Sequence, residues 1–184
     1  MAQKRTRPRY QKVRNRRPTG PERESLLDVL ADARDEAPLQ AFLDRNPAFL
    51  ARLLPMGSDV IVYDRPRLGA EYIPDFLMST RNSQGVRWAC VELESPAAKA
   101  VTRAGNMSAT LGGAVRQVND WRDWLEANGA YARGELGLAG ISGALTAYVV
   151  IGRREAMNDR QRKRYAALDR MGFSVLSYDR LLEA

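Results

Sequence analysis

At 184 residues, with hydrophobic residues making up 45% of the chain and a net charge of +7, the sequence suits one soluble domain with a proper core rather than two. It contains no histidine, which excludes Ser-His and Cys-His catalysis, histidine-ligated zinc and the usual general base near neutral pH. Any hydrolytic chemistry must then come from carboxylates, lysine or a metal-activated water.

The charge belongs to the N-terminus. Lys4, Arg5, Arg7, Arg9, Lys12, Arg14, Arg16 and Arg17 fall within residues 1–20, which hold no acid, and beyond residue 20 basic and acidic side chains nearly balance. With Pro8, Pro18 and few apolar residues, this basic arm is expected to be disordered alone and attracted to polyanions. Nucleic-acid contact by these eight cations is the preferred reading over a solubilising extension. A membrane surface fits less well, because nothing apolar is available to insert. The N-terminus has no apolar h-region and no run is long enough to span a bilayer. The single cysteine, Cys90, forbids an internal disulfide, so a cytoplasmic setting is expected.

The ordered domain is expected over residues 21–184. Thr19-Gly20-Pro21-Glu22 has capping-box spacing ahead of Leu26, Leu27, Val29 and Leu30, and predicts a first helix. A second helix is expected from about Asp35, with Leu39, Phe42 and Leu43 on one face and Asn46-Pro47 interrupting it. Asp59 to Tyr63 reads as a first strand, Arg65 to Gly69 as a turn, Tyr72 to Met78 as a second strand, and Val86 to Glu94 as a third, stopped by Pro96. Leu111, Ala114, Val118, Trp121 and Leu125 give Ser108 to Asn128 helical periodicity, with Asn128-Gly129 as the stop. Leu145 to Ile151 reads as a buried strand, Asp159 to Met171 as a basic amphipathic helix ending at Gly172, and Phe173 to Tyr178 as a last strand before a helical turn. The order is that of an α/β sandwich: an αβββαβ core with a central mixed sheet flanked by helices. Trp121, Trp124 and Cys90 are expected in the core.

The chemistry lies on the second and third strands. Ser79 to Gly85 is a polar cluster with hairpin character. A turn centred between Ser83 and Gln84 sets Asp75 opposite Glu92 on one sheet face, with Cβ atoms roughly 5 Å apart. Glu94 shares that face, because side chains alternate along a strand. Three acids gathered on one face repel one another, and a divalent cation removes that cost. Taken singly, each acid reads equally well as part of a solvated strand face; their joint placement makes the metal-site reading.

An Asp on one strand and Glu-x-Glu on its hairpin partner resembles the site of the PD-(D/E)xK nuclease superfamily and its restriction-endonuclease-like fold. The segments Leu39-Gln40-x-Phe42-Leu43-x-x-Asn46-Pro47, Pro74-Asp75-Phe76, Glu92-Leu93-Glu94-Ser95-Pro96, Gln117-Val118-x-Asp120-Trp121, Val149-Val150-Ile151-Gly152-Arg153 and Tyr178-Asp179-x-Leu181 resemble, in order and spacing, the nuclease domain of Shedu antiphage-defence proteins. The resemblance spans about residues 35 to 182. It implies a metal-dependent DNA endonuclease, with Asp75, Glu92 and the Leu93 carbonyl as ligands of Mg²⁺, Mn²⁺ being tolerated. It also implies Glu94 and Gln117 as further catalytic residues, and homo-oligomeric assembly. Glu94 stands where the superfamily has a lysine. It can serve as a general base or bind a cation, but it cannot stabilise developing negative charge as lysine does. Supporting candidates are Glu36, an acid at a helix start; Lys99, a substitute for the missing lysine; and Arg153, a strand-end cation within reach of phosphate. The alternative to an active enzyme is a nucleic-acid-binding module with a degenerate, inactive site. A carboxylate-pair glycosidase is disfavoured by the shortage of exposed aromatic platforms.

Overall fold

The structure, a computed structural model, describes residues 7–54, 59–154, 158–159, 163 and 172–183. The expected class is what it has: a six-stranded mixed sheet in the order β1-β2-β3-β4-β5-β6 with helices on both faces. The strands are β1 (Tyr10–Arg14), β2 (Asp59–Asp64), β3 (Phe76–Asn82), β4 (Gly85–Leu93), β5 (Thr146–Val150) and β6 (Phe173–Leu176). The first four run antiparallel to their neighbours, while β5 and β6 are parallel to β4 and β5. The helices are α1 (Gly20–Asp32), α2 (Ala37–Arg45), α3 (Ala48–Ala51), α4 (Ala109–Ala127), α5 (Gly129–Gly134) and α6 (Tyr178–Glu183).

The local signals act where the residues put them. Thr19 caps α1 in a full capping box with Glu22, and Ser108 caps α4. Asn46-Pro47 separates α2 from α3, because the residue before a proline is pushed out of helical geometry. The β3–β4 hairpin turns at Ser83-Gln84 and pairs Phe76 with Val91 and Asn82 with Gly85.

Alternation divides the sheet into two cores. Val60, Val62, Phe76, Met78, Ala89, Val91 and Val150 face α1, α2, α3 and α6. Tyr63, Leu77, Trp88, Cys90 and Ala147 face α4 and α5, where Val118, Trp121, Leu125 and Ala132 cover them. A third cluster joins Ala100 and Val101, in the loop after β4, to Leu111, Ala114, Val149 and Ile151. Glu92 follows Cys90 by two residues and Asp75 precedes Leu77 by two, so both carboxylates belong to the face that α4 covers.

Three expectations are corrected. The basic arm is not disordered from residue 7 onward: Tyr10–Arg14 forms β1 and pairs with β2. Three of its cations pair with carboxylates: Arg9 with both oxygens of Asp44, Lys12 with Asp59 at 2.9 Å and Arg16 with Glu22. A charge count could not reveal the first two, because Asp44 and Asp59 lie far along the chain. Lys4 and Arg5 lie outside the described residues. The second strand starts at Phe76 rather than Tyr72: Tyr72 closes a local bridge with Leu68, and Pro74 has no N–H to donate to a ladder. Asn128 ends α4 but immediately opens α5, which the Asn-Gly stop hid. In keeping with the Asn46-Pro47 interruption, α3 stands as a separate buried turn. The helix expected over Asp159–Met171 falls largely outside the described residues.

Candidate active site

Two carboxylates are in contact where β3 begins and β4 ends, and two more flank them. Asp75 sits one residue before β3, its backbone held from two sides: the Arg65 N–H donates to the Asp75 carbonyl at 2.9 Å, and Gln40 Nε2 donates to the same oxygen at 3.4 Å. The side chain is fixed as well, Oδ2 accepting from the Leu93 N–H at 2.8 Å. That bond crosses from one hairpin strand to the other and carries the pairing one step past Phe76–Val91, which brings Asp75 against Glu92. Glu92 is buried, 6% exposed, and is in side-chain contact with Asp75. Its Oε2 is buried with no hydrogen-bond partner.

Glu94 lies just past β4, half-buried. Its N–H donates to the Val150 carbonyl at 2.9 Å, and its own carbonyl accepts from the Tyr178 hydroxyl at 2.9 Å. Glu36, the residue before α2, is exposed, and its charge is felt at Asp75, Glu92 and Glu94. Among the described residues no three such side chains converge closely enough to hold one ion. Crowded anions splay apart, so the geometry offers a tight pair, Asp75 with Glu92, and two flanking acids.

The electrostatics follow from burial without a counter-charge. Burial and then neighbouring acids push Glu92 far above the usual carboxylate range. Asp75 is raised mainly by burial, offset in part by the Leu93 N–H and by the Arg65 charge. Glu94 is pushed up to about 7 by burial, Glu36 and Asp75. Arg65 is the one described non-glycine residue at positive φ, +43°. Such backbone strain collects at functional sites, and here it turns the Arg65 N–H onto Asp75.

A stability prediction follows from these raised values. The folded, metal-free protein holds carboxyl protons that the unfolded chain has lost, so stability falls as pH rises above the ordinary carboxylate range. For Glu94 the loss runs from about pH 4.3 to about 7, the range between the free glutamate value and its own. Melting curves in EDTA should show Tm falling between pH 5 and pH 8. A flat or rising profile over that range would contradict the site's electrostatics.

The remaining candidates are placed as follows. Gln117 is exposed on α4, beside the buried Val118, with no hydrogen bond to a described residue. Lys99 is exposed in the loop after β4, and no ion pair joins it to the described carboxylates. Arg153 donates two bonds to Asp179 Oδ1, at 3.0 and 2.9 Å, which ties the end of β5 to α6. Residues missing from the sequence reading are Arg65, Gln40, Asp64 and Tyr178. Gln40 binds Asp64 Oδ1 at 3.1 Å as well as the Asp75 carbonyl. The Tyr178 ring is fully buried, and its hydroxyl lies near all four acids. Gln40 and Tyr178 stand inside the resemblance segments and could have been singled out there. Arg65, in a turn, carried no such signal.

A desolvated carboxylate pair at a hairpin end, on a mixed sheet between two helical layers, defines the class: an α/β domain with an acidic site. The chain belongs to the Shedu family, since the family described as "Shedu protein SduA, C-terminal" matches residues 33–182. The matched region begins just after α1, so β1 and α1 lie outside it. Shedu membership carries the setting of antiphage defence. No curated protein matches the chain. No described helix is long and apolar enough to cross a membrane.

Proposed function

We propose that this chain is a Mg²⁺-dependent DNA endonuclease of antiphage defence, hydrolysing phosphodiesters. The observation that carries the reading is Glu92: a buried carboxylate pressed against Asp75 with an unpartnered Oε2. Leaving such an oxygen without a counter-charge is costly. The donor set is all oxygen with one tight carboxylate pair, and Mg²⁺ is usually held by one or two carboxylates while keeping several waters. Asp75 and Glu92 would hold the ion, with the Leu93 carbonyl beside them, and Mn²⁺ would fit the same donors. Bound there, the ion supplies Lewis-acid activation of water and neutralises charge on the phosphate.

The rest is done by the chain. Glu94, with its pKa near neutrality, accepts a proton from the attacking water. Tyr178 fixes the backbone of Glu94, while Gln40 and the Arg65 N–H fix that of Asp75. The test is nicking of supercoiled DNA. Wild type should nick in Mg²⁺ and not in EDTA, and Asp75→Asn should lower the rate by roughly 10²–10³, the size of effect seen when one electrostatic stabiliser is removed. Cleavage that survives EDTA, or an Asp75→Asn enzyme as fast as wild type, would refute the reading.

A second reading is favoured by Glu94 standing in the lysine position while Lys99 makes no ion pair with the site's acids: a DNA-binding module with an inactive site. It expects salt-sensitive DNA binding with no turnover in Mg²⁺ or Mn²⁺.

A further inference from the structure

Two sets of described cations differ in how they are held. On β1 and its flank, Arg9 pairs with Asp44 and Asp64, Lys12 with Asp59 and Arg16 with Glu22, while Arg7, Arg14 and Arg17 are exposed and in no salt bridge among the described residues. A second group is exposed, and none of its charged groups is held in a salt bridge or hydrogen bond among the described residues: Arg34, Arg65, Arg67, Lys99 and Arg103.

The loops that carry this second group start or end at the carboxylate site. Arg65 and Arg67 lie on the loop that leaves β2 and returns at Asp75, and the Arg65 charge acts on Asp75. Lys99 and Arg103 lie on the loop that leaves β4 through Glu94. That loop is anchored by Ala100 and Val101 on Val149, the strand partner of Glu92, and closed by the Val101–Met107 bridge, which leaves Arg103 near its tip. Arg34 precedes Glu36, and its carbonyl accepts from Ser95 Oγ at 2.9 Å, which docks the α1–α2 connection beside Glu94.

We infer that this rim of loop cations, rather than the N-terminal basic strand, is the surface that grips the phosphate backbone of DNA. Three separate loops that start or end at the anionic centre each carry exposed cations held in no salt bridge among the described residues. The centre itself repels a polyanion until a cation fills it, so attraction must come from its border. Phosphate contacts of this kind position a duplex without reading its sequence. The inference rests on the endonuclease reading for the identity of the site, but it concerns binding and is tested without turnover.

The test is anisotropy of a fluorescein-labelled DNA duplex with the full chain, in EDTA, between about 50 and 200 mM salt. Each phosphate contact contributes about 0.9 to the slope of log K against log salt. The variant Arg67→Gln/Lys99→Gln/Arg103→Gln should lose about 2.7 of that slope, the share of three contacts. The arm variant Arg14→Gln/Arg17→Gln, which removes two exposed cations of the arm, should keep the wild-type slope. All five side chains are exposed, so both variants should melt like wild type. A wild-type slope in the rim variant overturns the inference, as does an arm variant that loses as much as the rim variant. If the rim variant loses its slope while wild type fails to cut DNA in Mg²⁺, the surface stands and the endonuclease reading falls.

Discussion

Glu92→Gln should abolish Mg²⁺-dependent nicking and, at the same time, make the metal-free protein more stable at pH 8. The two effects have one cause. Glu92 is buried against Asp75, with Glu94 and Glu36 adding negative charge. At pH 8, in the absence of metal, the folded state must either hold on Glu92 a proton that the unfolded chain has lost or leave its charge uncompensated. Glutamine keeps the shape and removes one ionisable group, so the folded state no longer carries the cost of crowding. Relief of about 1–2 kcal/mol would raise Tm by roughly 2–8 °C in a chain of this size. In wild type, Mg²⁺ itself should provide that relief and raise Tm, because a ligand that binds only the folded state stabilises it. In Glu92→Gln the Mg²⁺ shift should vanish along with nicking. Calorimetry in EDTA and in Mg²⁺ separates the cases. A variant less stable than wild type in EDTA would mean that Glu92 is a structural group with a partner. A variant that keeps its Mg²⁺ shift would place the ion elsewhere.

Gly152→Ala should be the most damaging small substitution near the site. Gly152, two residues past the end of β5, has φ of +68°, and a Cβ added there would meet the Ala98 carbonyl oxygen at 2.4 Å. Backbone cannot yield as a side chain can, so the strand end or the loop after β4 must move. The same residue donates its N–H to the Ser95 carbonyl at 3.2 Å and accepts from the Tyr178 N–H at 3.1 Å. It thus clamps the turn that follows Glu94 to the helix that carries Tyr178. The expected loss is about 2–4 kcal/mol, a fall in Tm of roughly 5–15 °C, with a matching loss of Mg²⁺-dependent activity. Gly140→Ala is the control. Its φ of +75° is similarly left-handed, but its Cβ would lie 3.6 Å from Val86, an ordinary contact. It should cost only the backbone term, about 1 kcal/mol. Equal losses in the two variants would show that the clash with Ala98 plays no part.

Local chemistry carried most of the fold in legible form. The Thr19 capping box, the Ser108 cap, the Asn46-Pro47 break and the α4 periodicity all act over a few residues, so they could be read from the chain alone. The hairpin register was legible for the same reason. Its turn is short, and alternation then fixes which residues oppose each other, as the Phe76–Val91 pairing bears out. That register placed Asp75 beside Glu92. Glu36 was legible only as an acid at a helix start; that its charge acts on the other three carboxylates is a matter of how α2 docks against the sheet.

What the chain by itself determined, then, was the α/β class, the main helices and hairpin, and the identity of the acidic pair. Only tertiary structure decided the fate of the basic N-terminus. Whether Arg9 and Lys12 find ion-pair partners depends on Asp44, Asp59 and Asp64 arriving beside β1, and no window of sequence contains both sides of those pairs. The same holds for Arg65, Gln40 and Tyr178, which reach the acids from three different segments. Side-chain spacing within one element is set by backbone geometry, whereas contacts between distant segments depend on how whole layers pack.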